Sequence, residues 1–267
     1  MNLLRISDLS PEDVHSIWNL VGSEDKRIDG TVAWSFEGYG IRTRTTFIQA
    51  FRDLGLTFTE LPNFLKTGER ACDLAGYLDP FYEMYVIRES NHARLAEFAA
   101  STQRPVINAM SGEAHPCEVL TDAYYVEKKL RPLKDARICL WGPPTNVLRS
   151  WHDLAGVIGF TVNHVCSTQF HESITNVLFT DSTPEDIDIV VTDSWPSGTE
   201  AHACSLTESH LAHMGHPELL PTPPFSIGRE VSFDPLSYTG FAGYQQKELL
   251  LPVQKAIICH IANRSLI

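Results

Sequence analysis

Two arginines stand where an apolar run gives way to a helical one. In Ser35–Phe51, SFEGYGIRTRTTFIQAF, Arg42 and Arg44 flank Thr43 just after Gly38 and Gly40. Phe47, Ala50, Phe51 and Leu54 fall at helical spacing and predict a helix beginning near Thr43. Unpaired N–H groups at a helix start, the helix dipole, a threonine hydroxyl and a guanidinium together suit a small phosphate or carboxylate. The glycine pair lets backbone approach a ligand closely. Two further stretches carry groups of the same kind. YVIRESNH leaves Arg88 at the carboxyl end of a predicted strand, and GEAHPCEVLTDAYYVEKKL puts His115 and Glu118 at a helix start after PVINAM. Ligands of open parallel sheets bind beyond the carboxyl ends of the strands, where Arg42, Arg88 and His115 all fall.

The elements that must hold these groups are short β-branched runs alternating with helical patterns. Strands are expected over 31–37, 56–61, 84–89, 105–110, 136–142, 160–167 and 186–193. Such alternation predicts an α/β chain with parallel sheets flanked by helices on both faces. DLSPEDVHSIWNLV marks a helix start, with Asp8 or Ser10 as cap and Pro11 in the first turn. At 267 residues the chain fits two domains meeting at a cleft, and the polar, proline-broken KKLRPLKDA places their boundary near 130. The expected division is 1–130 and 131–244, with a closing helix over 245–267 packing back on the first domain.

Composition narrows the function. The 33 acidic against 21 basic residues leave a net charge of −12 with no basic run, which argues against nucleic acid as a partner. A G-x-G without its third glycine is no dinucleotide fingerprint, and no G-x-x-x-x-G-K motif occurs. The six cysteines form no C-x-x-C pair, and no leader-like or membrane-length apolar run is present; a cytoplasmic protein with reduced thiols is expected. One competing constellation is EAHACSLTESHLAHMGHPE, where His210, His213 and His216 could share a helix face and, with His202 and Cys204, offer zinc ligands. The spacing fits no standard zinc motif.

Taken together, these segments resemble the aspartate and ornithine carbamoyltransferases. Gly40-Ile41-Arg42-Thr43-Arg44 stands where the family has S-T-R-T-R, and His115-Pro116-Cys117-Glu118 resembles H-P-C-Q. TGERACDLAGYL, PTNVLRS, VTDSWPSG (the D-x-W-x-S-M-G motif) and QKELLLPVQKAII follow in the family's order, so the likeness runs almost end to end. It implies transfer of a carbamoyl group from carbamoyl phosphate to an amine, with no metal or organic cofactor, in a homotrimer. By the same likeness Gly40, Ile41, Arg42, Thr43 and Arg44 would hold phosphate. Arg88 and His115 would donate to the carbonyl oxygen, and Glu118 would meet the carbamoyl NH₂. Asn146, Asp193 and Ser197 match ornithine-type positions for an amino acid's α-carboxylate and α-amino groups.

The departures from the family concern the donor as much as the acceptor. Gly40 and Ile41 replace two hydroxyl residues, Glu118 replaces a glutamine, and Leu249-Leu250 stand for Asn-Arg. Lys66 lies where the family loop carries a lysine only if the match is shifted by one residue. The H-C-L-P segment is Pro221-Thr222-Pro223-Pro224, so Thr222 and Pro223 would reshape the pocket around the reacting amine. The expected acceptor is an α-amino acid or close analogue whose amine-bearing chain differs from that of ornithine, a shorter one included, in a specialised biosynthetic pathway. The alternative is a repurposed homologue that binds an amino acid or anion without transfer.

Overall fold

The computed structural model describes residues 1–23, 27–38, 40–195, 204–242 and 244–265. They form two compact units, 1–121 with 249–267 and 122–248, each built on its own parallel sheet. The division at Asp122 lies ahead of the expected boundary, inside a continuous helical run. Helix α5 (Pro116–Tyr125) continues as a π-helical turn over Val126–Leu130, so the polar stretch that reads as a linker is partly helix.

In the first unit β1 (Thr31–Ser35), β2 (Thr57–Glu60), β3 (Met84–Glu89) and β4 (Val106–Ser111) lie in the order β2-β1-β3-β4. Helix α1 (Pro11–Leu20) opens on Ser10, whose hydroxyl accepts from Asp13 N at 3.1 Å while the Asp13 carboxylate accepts from Ser10 N at 3.0 Å. Asp13 also receives His260 Nε2 at 3.0 Å and Arg264 Nη2 at 2.6 Å from α9 (Leu250–Ser265). Burial works against its charge, yet the Ser10 and His260 hydrogen bonds and the Arg264 cation hold its carboxyl below the usual range. A residue that caps one helix thereby fastens the closing helix against it. Helix α2 (Ile41–Asp53) lays Phe47 and Phe51 on Trp34 of β1, with ring centroids 5.5 and 6.1 Å apart. Helices α3 (Ala71–Leu78) and α4 (His92–Ser101) complete this unit.

In the second unit β5 (Ile138–Trp141), β6 (Val162–Val165), β7 (Val177–Thr180), β8 (Ile189–Thr192) and β9 (Glu218–Pro221) take the order β7-β6-β5-β8-β9. The crossovers run outward from β5 to β6 and β7, then reverse to β8 and β9, which makes the β5/β8 neighbourhood a topological switch point. Helices α6 (Asn146–Ile158), α7 (Glu208–His213) and α8 (Gln245–Glu248) belong here. All seven expected strands form; β7 and β9 were not anticipated. β7 is a four-residue edge strand whose residues after Val177 are not buried, and β9 ends in a proline, so both lack the usual strand pattern.

Beneath the β5–α6 turn lies a chain of buried imidazoles. His164 Nε2 is 2.8 Å from Gly142 O, and His152 Nε2 is 2.8 Å from His164 Nδ1. A carbonyl only accepts, so His164 carries its proton on Nε2 and takes a second proton donation from His152. Burial drives His152 to about 3 and His164 to about 4. Both folded values lie below the free value of 6.5, so the unfolded chain binds protons first as pH falls. The stability this arrangement supplies is complete above the free value and is lost between about pH 6.5 and 3. Melting midpoints measured across that window should fall more steeply in the wild type than in a His152→Gln/His164→Gln double variant. Equal slopes would reject the assignment.

Candidate active site

The amino-terminal turn of α2 is the centre of the first unit's site. Gly40 caps the helix in the left-handed region, φ 43°, which favours glycine, and Ile41 is the first helical residue. The helix therefore starts two residues ahead of Thr43, where the apolar spacing put it. By helix geometry the N–H groups of Ile41, Arg42 and Thr43 have no intrahelical acceptor. Arg88, at the carboxyl end of β3, donates Nη1–H to Thr43 Oγ1 at 2.9 Å. Its side chain runs against the cap: a Cβ on Gly40 would stand 3.5 Å from Arg88 Cδ. Burial and then the Arg42 charge push the Arg88 guanidinium down, and the carboxylates of Glu37 and Glu118 oppose them. Arg42, Thr43, Arg88 and Glu118 thus belong to one electrostatic neighbourhood.

His115 precedes α5, its carbonyl accepting from Val119 N at 3.2 Å, and its Nε2 is 4.0 Å from Glu118 Oε2. Both side chains are mostly covered, at 12% and 10% exposure. Cys117, between them in sequence, is buried with Sγ 3.5 Å from Asn108 O, and burial pushes its thiol up. Such a thiol is inert.

Two predicted phosphate contacts are placed elsewhere. Arg44 donates Nη2–H to Glu60 at 2.9 and 3.0 Å and lies 4.3 Å over the Phe36 ring, so its guanidinium is engaged beside β2. A helix turns 100° per residue, which separates Arg44 from Arg42 by more than half a turn. The Ile41 side chain is 74% exposed on the outer face of α2, leaving only its backbone N–H to meet an anion. Lys66, left open by the sequence, pairs with Glu37 Oε1 at 2.7 Å and Glu89 Oε1 at 3.6 Å of its own chain. Glu37 Oε2 also accepts from Ser90 N at 2.8 Å. The Lys66 hydrogen bond outweighs burial and pulls the Glu37 carboxyl down to about 2. This network ties the Phe64–Lys66 turn to the ends of β1 and β3, beside Arg88.

The second unit holds the other predicted residues at its switch point. Asn146 begins α6, with Oδ1 accepting from Val147 N at 3.0 Å, behind the Thr145 cap. Asp193 follows β8 and is 8% exposed. Thr222 follows β9, donating N–H to Thr192 O at 2.8 Å. The hydroxyls of Thr192 and Thr222 are both buried without a hydrogen-bond partner. Pro223 precedes a cis peptide to Pro224. Gly142, φ 113°, leaves room for the Trp195 indole, whose Nε1 would lie 2.9 Å from a Cβ there. Ser197 lies outside the described residues. A separate pocket of about 360 Å³, lined by Trp141, Cys166, Ser167, Asp181, Thr183 and His210, sits at the ends of β5 to β7.

The histidine-rich segment does not assemble as a single helix face. The His210 ring lies 4.6 Å from that of Trp141, tilted by 38°, and its Nδ1 accepts from Thr207 N at 3.2 Å. His213 is the last residue of α7, and His216 lies beyond its end in a left-handed conformation, φ 59°. His202 lies outside the described residues. Among the described residues no group of three His, Cys, Asp or Glu side chains could hold a metal ion.

Residues 1–128 match the sequence model of the "Aspartate/ornithine carbamoyltransferase, carbamoyl-P binding domain". The ornithine carbamoyltransferase of Rhizobium johnstonii is 27% identical over 295 aligned positions, covering 96% of this chain and 96% of that protein. That of Rhodopseudomonas palustris is 34% identical over 185 positions, covering 62% and 59%. The chain is similar to the aspartate/ornithine carbamoyltransferases along nearly its whole length. Its fold is that of solved family members: the ornithine carbamoyltransferase of Thermus thermophilus superposes with a TM-score of 0.88 at 22% identity over 97% of this chain and 98% of that one. The Campylobacter jejuni anabolic enzyme gives 0.86 at 24%, over 98% and 99%.

The sequence motifs find the strand ends, and the start of α2 to within two residues, and miss their supporting charges. Glu37, Glu89 and Lys66 were not among the predicted site residues. Glu37 directly precedes Gly38, between β1 and α2, an acid five residues ahead of Arg42 in the sequence. Nothing in the sequence joins Lys66 to it. Among the described residues no helix is long and apolar enough to cross a membrane, and none of the six cysteines is in a disulfide.

Proposed function

We propose that this chain moves the carbamoyl group of carbamoyl phosphate to the amine of an amino-acid-like acceptor, releasing phosphate and a ureido product. The observation that carries the reading is Arg88 hydrogen-bonded to Thr43 across the glycine cap of α2. There a guanidinium, a hydroxyl and helix N–H groups stand together, a donor set of the kind that binds a phosphate group. In this reading the α2 turn with Arg42 and Thr43 holds the phosphate. Arg88 and His115 donate to the carbonyl oxygen as the amine nitrogen attacks and charge builds on that oxygen. The new C–N bond forms, the C–O bond to phosphate breaks, and the departing phosphate accepts the amine's proton, so no protein base is required.

On the acceptor side, Asp193 would answer the α-ammonium and Asn146 the α-carboxylate. Thr222 and Pro223, in place of cysteine and leucine, favour an acceptor whose amine-bearing chain differs from that of ornithine, within a specialised pathway. Family likeness supports a homotrimer. Glu118 favours a second reading, a binder of amino acids or anions that no longer transfers, because its carboxylate stands beside the donor groups and repels phosphate.

A thermal-shift titration separates the two. Carbamoyl phosphate at a hundredfold excess over its dissociation constant stabilises the folded chain by about 2.7 kcal/mol, several degrees of melting midpoint. Arg42→Ala should abolish that shift, and an amine panel should then yield a ureido product. Absence of a shift with carbamoyl phosphate, alone or with an amino acid present, would reject the transfer reading.

A further inference from the structure

Arg229 and Glu230 lie outside every motif that carries the chemistry, yet they gather the acceptor-side loops. Glu230 is 1% exposed, and its two carboxylate oxygens are divided between two segments. Oε1 accepts from Trp195 N at 3.2 Å, two residues beyond Asp193, and Oε2 accepts from Ser226 N at 2.7 Å, four residues beyond Thr222. Arg229 donates Nη2–H to Trp195 O at 3.1 Å, so this dipeptide grips both backbone groups of one residue. The Glu230 carbonyl accepts from Leu206 N at 2.9 Å, and Ser205 donates its hydroxyl to Arg229 O. Ser194 donates its hydroxyl to Pro224 O, a direct tie between the same two loops. A buried carboxylate that serves two backbone N–H groups on separate strand ends fixes the distance between them.

We infer that Glu230 is a positioning residue that sets the spacing between Asp193 and the Thr222–Pro223 turn, and with it which acceptor the site takes. It touches no substrate. This rests on the proposed reading of Asp193 and Thr222 as acceptor contacts. The segments follow β8 and β9, adjacent strands paired Thr192 to Pro221; beyond the strands the loops are held by the Ser194–Pro224 bond and by Glu230, which reaches both from a third segment. Its charge compensates two N–H dipoles, with Arg229 Nε 3.9 Å away.

Glu230→Gln tests the inference. The amide keeps the volume but has one acceptor oxygen for two donors, so one loop loses its tie. Glu230→Asp keeps the charge and shortens the reach, and serves if the amide variant melts too early to assay. With L-ornithine and shorter diamino acids as probes, either variant should raise the acceptor KM about tenfold or more while leaving carbamoyl phosphate affinity within about twofold. Hydrogen–deuterium exchange of the peptides spanning 193–195 and 222–226 should quicken while the strands stay protected. Unchanged exchange in both peptides would overturn the inference, as would an equal loss of donor and acceptor affinity. If the wild type carbamoylates no amine, the functional reading fails, and the exchange result alone judges whether Glu230 holds the loops.

Discussion

Arg88→Ala lowers the turnover of carbamoyl transfer by about 10²–10³-fold, the usual effect of removing one donor aimed at a developing oxyanion. The substitution removes more than a charge. Thr43 loses the donor that engages its hydroxyl at 2.9 Å, and the carboxylates of Glu37 and Glu118 lose the cation that faces them. Arg88→Lys keeps the charge without the planar fork and should recover only part of the rate. Steady-state kinetics with carbamoyl phosphate varied would decide. A turnover within threefold of wild type in the alanine variant would remove Arg88 from the chemistry.

The second large effect falls on the acceptor. Asp193→Asn keeps the shape of a side chain that is 8% exposed and removes its charge. A hydrogen bond to a charged group contributes about 1.5–3 kcal/mol, so kcat/KM for an α-amino acid acceptor should drop about 10- to 100-fold. Carbamoyl phosphate binding, assigned to the other unit, should hold steady. If the variant instead loses carbamoyl phosphate and keeps its acceptor, the roles given to the two units are reversed.

Both predictions draw on residues named from the sequence, and the sites beside them show where that reading stops. Arg88 and Asp193 were legible because each follows a β-branched run, and a strand end is a place that alternation defines locally. Arg44 had the same local credentials as Arg42, yet Glu60 and Phe36 engage it. The start of α2 moved to Ile41 because Gly40 adopts a left-handed cap, which apolar spacing does not report. The three histidines of the metal hypothesis separate because α7 ends at His213.

What the sequence alone determined is the alternation of strands and helices, the parallel sheets that follow from it, and the order of motifs that makes the chain resemble the carbamoyltransferases. These depend on contacts a few residues apart, which periodicity and turn chemistry record. Tertiary structure alone decided the pairings that tune the site: Lys66 with Glu37 across 29 positions, Arg88 with Thr43 across 45, and Glu230 with Trp195 across 35. A charge has no sequence signature for its partner, because the partner is whichever group the folded chain brings back within a few ångströms in a medium that leaves buried charge costly until it is met.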